Sequence, residues 1–391
     1  MARTMLDREF LEAAILGGSF YGGGGGGSPA TGRELGELAL TLGDPWLGDI
    51  GDLPEDAILL TVSAVGAPAA SGKHAKAYHY LKAVELFIRY SGMEPAGFIT
   101  NECGGLATVN GWVQSAAFGL PVIDAPCNGR AHPTGVMGSM GLHAVSGYVS
   151  LQVAVGGSRE AGAYVEVFAK GSIEKAAAMV RQAAVQAGGL VAVARNPVSA
   201  KYAKEHAAIG AITQCVRVGQ AMLSSSGKGG MAVVEAAAEA SGGRVVCRGR
   251  IVGKEIETTG GFDVGKVLVE GGYELVFWNE YVTLEKEGKR LATFPDLVVT
   301  MDLETGNPLS SAEVQESHQV AVVVVPKQSL ILGAGVKDKS LYSQHREGYW
   351  QENRGIRVRL RGDSHELQGN FGRPLPVGRR QGGRPESCGC P

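Results

Sequence analysis

The sequence lacks an excess of charge of either sign. Its 37 Lys and Arg nearly balance 39 Asp and Glu, leaving a formal net charge of -2 at pH 7. No global basic field therefore points to nucleic acid, and no acidic field to a basic partner. Long apolar runs are also missing: nothing approaches the roughly 18 to 20 consecutive apolar residues of a membrane-spanning helix. The opening MARTMLDREFLEAAILGG places acids inside a short apolar stretch, unlike a secretory signal. Cysteine is scarce, six residues at 103, 127, 215, 247, 388 and 390, without the spacing of a disulfide framework. A reduced, cytoplasmic chain is the expectation. The 59 glycines follow no G-X-Y period, so collagen is excluded. What is present suits a soluble globular enzyme or binding protein: 44% hydrophobic and 19% charged residues, enough chain for two domains.

Along the chain, Thr4 to Leu16 reads as a helix with Asp7 near its start, running into six consecutive glycines, Gly22–Gly27. Such a run costs roughly 1 kcal/mol per residue inside a helix, so it predicts a loop. Strands at Ala57–Ala64, Ala96–Thr100, Pro121–Asp124, Val149–Val155 and Leu190–Ala194 alternate with helices at Tyr80–Tyr90, Val109–Phe118 and Ile173–Gln186, with alanine-rich helices at 198–224 and 231–240. That alternation predicts an α/β fold with a largely parallel sheet. From Arg244 to Leu332 the text turns β-rich, with hairpin signals at Glu287-Gly288 and Thr305-Gly306-Asn307-Pro308. The expected organisation is an α/β domain over 1–241, a smaller β-rich antiparallel domain over 242–340, and a poorly ordered tail over 341–391. Residues 351–391 carry eight arginines and no lysine, with few large apolar residues.

The densest chemistry lies in NECGGLATVNGWVQSAAFGLPVIDAPCNGRAHP, 101–133. Glu102 and Asp124 each follow a predicted strand, and neighbouring parallel strands would bring their ends together, with His132 beside them. Two carboxylates and an imidazole can serve as general base and acid, or ligate zinc or a similar divalent ion. Arg130 offers a planar donor to an oxyanion or carboxylate, but could equally pair with Asp124 to hold the loop. Asn128 and the amides of Gly24 and Gly25 are expected to line the substrate. Cys103 and Cys127 are alternative nucleophiles or small buried apolar residues. The glycine run lacks the Lys-Ser/Thr of a phosphate-binding loop and follows a helix instead of a strand, so no nucleotide is expected. His74 and His79 are five apart, which is not metalloprotease spacing. Asn279-Glu280 interrupts an apolar strand and hints at a bulge or a site.

The ordered set LGGSFYGGGGGGSP, VGAP, ECGG, GLPVID, GRAHP, GGRVVCRGRIV, NE, TFPDLVVTMDLETGNP and HQVAVVVVP resembles the S-methyl-thiohydantoin desulfurase family over about residues 8–335. The resemblance implies a glycine-rich α/β domain, a smaller β-rich domain, and hydrolytic removal of sulfur from a thiohydantoin-type ring, with hydantoinase-like neighbours. The expected partners are a small heterocyclic substrate and a second copy of the chain, without nucleic acid or membrane. Within the family pattern this chain diverges at Ala107, Pro126, His132 and Thr134. Another cyclic amide or amidine hydrolase, or a non-catalytic partner of a hydantoinase-like enzyme, are the alternatives.

Overall fold

In a computed structural model of the chain, residues 3–67 and 70–342 are described. Pro68 of the VGAP turn, the arginine-rich tail and Cys388 and Cys390 lie outside the described residues. In chain order the first sixteen elements are β1 (Thr4–Met5), α1 (Arg8–Gly22), α2 (Pro29–Leu42), β2 (Trp46–Gly48), β3 (Ile58–Gly66), α3 (Ala77–Ser91), β4 (Gly97–Thr100), α4 (Trp112–Phe118), β5 (Val122–Ile123), β6 (Ser150–Gly156), β7 (Val165–Gly171), α5 (Ile173–Gln186), β8 (Leu190–Ser199), α6 (Ala200–His206), α7 (Ala211–Ser225) and α8 (Gly230–Ser241). Their strands form one eight-stranded sheet, ordered β1-β2-β5-β4-β3-β8-β6-β7. Its centre, β2-β5-β4-β3, is parallel. The strands flanking that centre pair antiparallel.

The second half supplies β9 (Arg244–Thr259), β10 (Phe262–Val269), β11 (Tyr273–Trp278), β12 (Glu280–Lys286), β13 (Lys289–Thr293), β14 (Leu297–Asp302), β15 (Pro308–Leu309) and β16 (Gln319–Val325), then the short helix α9 (Ala334–Lys337). These strands make a second sheet, antiparallel throughout, in the order β13-β12-β11-β10-β9-β16-β14-β15. The architecture is thus α/β in its first half and β-rich in its second. In β16, Val320, Val322 and Val324 join one apolar cluster while Ala321, Val323 and Val325 join another. Burial on both faces explains why QVAVVVV shows no polar alternation.

Local chemistry sets the element ends. Asp7 caps α1, its Oδ1 accepting from Phe10 N at 2.8 Å, so the helix begins later than the sequence suggested. It also runs on through Gly17 and Gly18, against their low helix propensity. Tertiary packing overrides propensity there: a Cβ on Gly17 would collide with the Cys215 carbonyl of α7, and a Cβ on Gly219 of α7 with the Ala13 carbonyl of α1. Only glycine permits the two backbones to approach this closely. The alanine-rich stretch read as one helix breaks at 207–210, where Ala207 turns extended and Gly210 adopts φ 82° before α7. Helix α2 and strand β7 were not foreseen. The first buries only Gly32, Leu35, Gly36 and Ala39, two of them glycines; the second is an edge strand that alternates exposed with mostly half-buried residues, only Ala169 being buried.

Candidate active site

The site begins as a polar row across an otherwise apolar sheet. Thr61 of β3 pairs with Arg195 of β8, which pairs with Gln152 of β6. Paired residues share a face, so these three project together. The adjacent row Val62, Ala194 and Val153 projects to the other side, into the cluster with Val84 and Phe87 of α3. Thr61, Gln152 and Arg195 are at most 2% exposed. Burying a guanidinium is expensive unless charge and hydrogen bonds compensate, so the row marks a place where the fold tolerates cost.

The loops after β4 and β5 close over this row. Arg195 Nη2 donates to Asn101 Oδ1 at 2.8 Å. Since a guanidinium can only donate, the amide orientation of Asn101 follows, and its Nδ2 donates to His132 Nε2 at 3.1 Å. His132 Nε2 therefore carries a lone pair, and the ring is neutral. Burial, reinforced by the Arg195 charge, pushes the imidazole down to about 3. Glu102 Oε2 accepts the His132 backbone N–H at 3.2 Å and lies 3.3 Å from Nε2. Burial raises the Glu102 carboxyl to about 7, against the pull of the His132 amide and of Arg195, Arg130 and Arg181. Its side chain keeps 15% exposure where that of His132 keeps 1%. Cys127 Sγ sits 3.4 Å from Thr61 Oγ1, and burial pushes its thiol up to about 11.

Arg130 reaches from the β5 loop toward the second sheet. Its Nη1 donates to the Pro295 and Asp296 carbonyls at 3.2 and 2.6 Å, its Nε to Ala131 O at 3.0 Å, and its plane lies 4.6 Å over the Phe294 ring. Nη2 is buried and, among the described residues, has no hydrogen-bond partner. Arg181 of α5 stacks 4.1 Å over Phe262 and donates to the Gly66 and Gly261 carbonyls. Burial draws Arg130 and Arg181 each down to about 10.

The second sheet contributes Glu280, 3% exposed. Asn279 at the β11–β12 turn adopts φ 57°, the left-handed region that asparagine tolerates better than most residues. Its N–H donates to Asp263 O at 2.6 Å, its Oδ1 accepts from Asp263 N at 2.9 Å, and its carbonyl accepts from Ser311 Oγ at 2.6 Å. The turn directs Glu280 against the glycine loop, where a Cβ on Gly25 would collide with Glu280 Oε1. Gly23 O and Gly24 O accept from Tyr281 N and Ser311 N at 2.7 and 2.8 Å. Gly22, expected in the loop, closes α1, and the five glycines at 23–27 form a bare backbone seam joining the two halves at the site. Burial, and next the Glu102 charge, holds the Glu280 carboxyl well above its ordinary range.

Of the residues expected at the site, the structure brings together Glu102, His132, Arg130 and the backbone at Gly25, and sets Glu280, Arg181 and Arg195 beside them. Asp124 goes elsewhere. Although β4 and β5 are parallel neighbours, its carboxylate caps α7, accepting from Ile212 N at 2.8 Å and from Thr213 N and Oγ1 at 3.2 and 2.5 Å. The three residues read as metal ligands do not converge, and among the described residues no group of three His, Cys, Asp or Glu side chains is arranged to hold a metal ion. Nor does Arg130 pair with Asp124. Asn128 ties the loop, donating to Arg130 O at 2.7 Å and accepting from Gly333 N at 3.1 Å. Cys103 packs by Ala211 of α7, and His79 accepts from Lys76 N at the start of α3. A lone arginine inside the apolar run LVAVAR was the available signal for Arg195. Arg181 gave none, being one of three charged residues on an amphipathic helix.

Two family models match the chain: "S-Me-THD-like, N-terminal domain" over residues 9–162 and "S-Me-THD-like, C-terminal domain" over 172–333. The second match begins at α5, so its segment also supplies β8 to the first sheet. No curated protein matches. An X-ray structure of a protein from Chromobacterium violaceum is similar, with a TM-score of 0.66 at 20% identity, covering 90% of this chain and 97% of that one. At that identity the likeness shows the fold alone. With both matches in register along the sequence, the chain belongs to the S-Me-THD-like family.

Proposed function

We propose that this member of the family hydrolyses the C2–S bond of a thiohydantoin or S-methyl-thiohydantoin ring, releasing sulfide or methanethiol and leaving the ring carbonyl. The observation that carries the reading is the Glu102 carboxyl, raised to about 7 by burial and set among Arg130, Arg181 and Arg195. A base with a pKa near the working pH is effective at taking a proton from water. The neighbouring guanidiniums favour the negative charge that develops on ring nitrogen and sulfur as water adds to C2. Arg130 Nη2, buried and without a hydrogen-bond partner among the described residues, is a donor available to that charge. His132, neutral and held through Asn101 by Arg195, orients Glu102 and does not shuttle protons itself. Cys127 is an unsuitable nucleophile here because its thiol is held protonated.

Side-by-side assays of hydantoin, thiohydantoin and S-methyl-thiohydantoin test the reading. Sulfide or methanethiol should appear with the two sulfur substrates, and hydantoin itself should remain closed. Opening of the hydantoin ring without sulfur release would favour a cyclic amide hydrolase instead.

A further inference from the structure

The cluster holds a second carboxyl for which the proposed attack of water has no task. Glu280 comes from the second sheet, on a turn fixed by hydrogen bonds to Asp263 and Ser311. It is 3% exposed, its Oε1 lies against Gly25, and among the described residues its Oε2 has no hydrogen-bond partner. Among the described residues no ion pair involves Glu280, although Arg130 and Arg181 are close enough for their charges to act on it. A structural carboxylate in such surroundings would be expected to grip one of those guanidiniums, since an unpaired buried charge costs several kcal/mol. Burial, which holds the Glu280 carboxyl well above its ordinary range, lessens that cost by favouring the protonated form.

We propose that Glu280 is the general acid of this site, donating its proton to sulfur as the C2–S bond breaks, while Glu102 acts as base. The inference rests on the hydrolytic reading above. Two neighbouring carboxyls in different surroundings, Glu102 open enough to keep some exposure and Glu280 closed off against the glycine backbone, can divide the base and acid roles between them. In the first half, Glu102 takes a proton from water as the oxygen bonds to C2, and passes it to the ring nitrogen that gains the C=N pair. In the second, the new hydroxyl gives its proton to Glu102 and becomes the carbonyl. The C2–S electron pair leaves with sulfur, which receives the Glu280 proton. One proton of water ends on nitrogen and the other on sulfur. Glu102 finishes protonated and Glu280 ionised, and the proton returns between them to restore the starting state.

Leaving-group dependence tests this. The protein and its Glu280→Gln variant would be assayed with S-methyl-thiohydantoin and with its S-(2,2,2-trifluoroethyl) analogue, whose thiol is more acidic and departs without a proton. Glu280→Gln should slow the methyl substrate by about 10²-fold or more, the usual worth of a general acid, and the trifluoroethyl substrate by much less. Glu102→Gln should slow both alike. Equal losses, or no loss, in Glu280→Gln would overturn the acid assignment while leaving hydrolysis intact. No thiol release from either substrate by the unaltered protein would instead remove the hydrolytic reading itself. If Glu280→Gln fails to fold, as judged by circular dichroism, Glu280→Asp carries the same test: the loss should again be selective for the methyl substrate, and an unselective loss would refute the assignment.

Discussion

At the scale of single residues the site is a set of charges displaced from their ordinary ranges by burial. Glu102 near 7 must be ionised to act, so kcat/KM should rise through about pH 7, and fall again only at the higher pH where Glu280 loses its proton. The rising limb should vanish in Glu102→Gln, with a loss of about 10²-fold or more; a limb retained in that variant would assign it to another group. His132 leaves a different signature. Its folded-state pKa, about 3, lies below the ordinary 6.5, so the unfolded chain binds its proton first and stability falls as pH drops from about 6.5 toward 3. Glu102 acts in the opposite sense: its raised folded-state value makes its contribution fall as pH rises from about 4.5 to 7. Melting temperature against pH should therefore lose its acid-side decline in part in His132→Gln. An unchanged profile there would show that other groups set the acid limb. Arg130→Lys removes the planar fork but keeps a charge, and should cost turnover more than folding, because Nη2 is the nitrogen without a hydrogen-bond partner among the described residues.

At the scale of elements, the close crossing of α1 and α7 has a measurable sign. An alanine in an exposed helix is favoured over glycine by roughly 1 kcal/mol. At Gly219 the added Cβ meets the backbone of α1, and overpacking costs about 1–3 kcal/mol. Gly219→Ala should lower the melting temperature; an increase would contradict the packing described. The same contrast explains what the sequence could and could not disclose. Helix α5 and strand β4 were legible because their apolar spacing is local and their neighbours are buried as the pattern implies. The persistence of α1 through Gly17 and Gly18 was not, since it depends on a helix some two hundred residues further on. Asp124 was read as a site carboxylate from its place after a strand. It does follow a strand, yet its carboxylate caps α7, because the residue donating hydrogen bonds to it, Thr213 of α7, is invisible from local sequence. Glu280 showed only as a polar interruption in an apolar strand, and the fold decides that Asn279 turns it inward.

At the scale of the whole molecule, the site is assembled where the two sheets meet, with the glycine loop as the seam. Base and acid come from different halves, Glu102 from the loop after β4 and Glu280 from the first residue of β12. Bulk in the seam should then uncouple activity from stability. Gly25→Ala would push on Glu280 Oε1, a side-chain end that can yield, so turnover should fall with little change in melting temperature. A variant that melts early yet works normally would contradict the seam's role. The family match spans both halves, in keeping with a site that needs both. The central claim is that this site cleaves C2–S with water. Its most direct test is quantitative release of methanethiol from S-methyl-thiohydantoin by the purified protein, with oxygen from labelled water followed into the product. The account predicts one methanethiol and one labelled hydantoin per substrate consumed, both abolished in Glu102→Gln. Substrate consumed with sulfur retained on the ring, or release undiminished in Glu102→Gln, would contradict it.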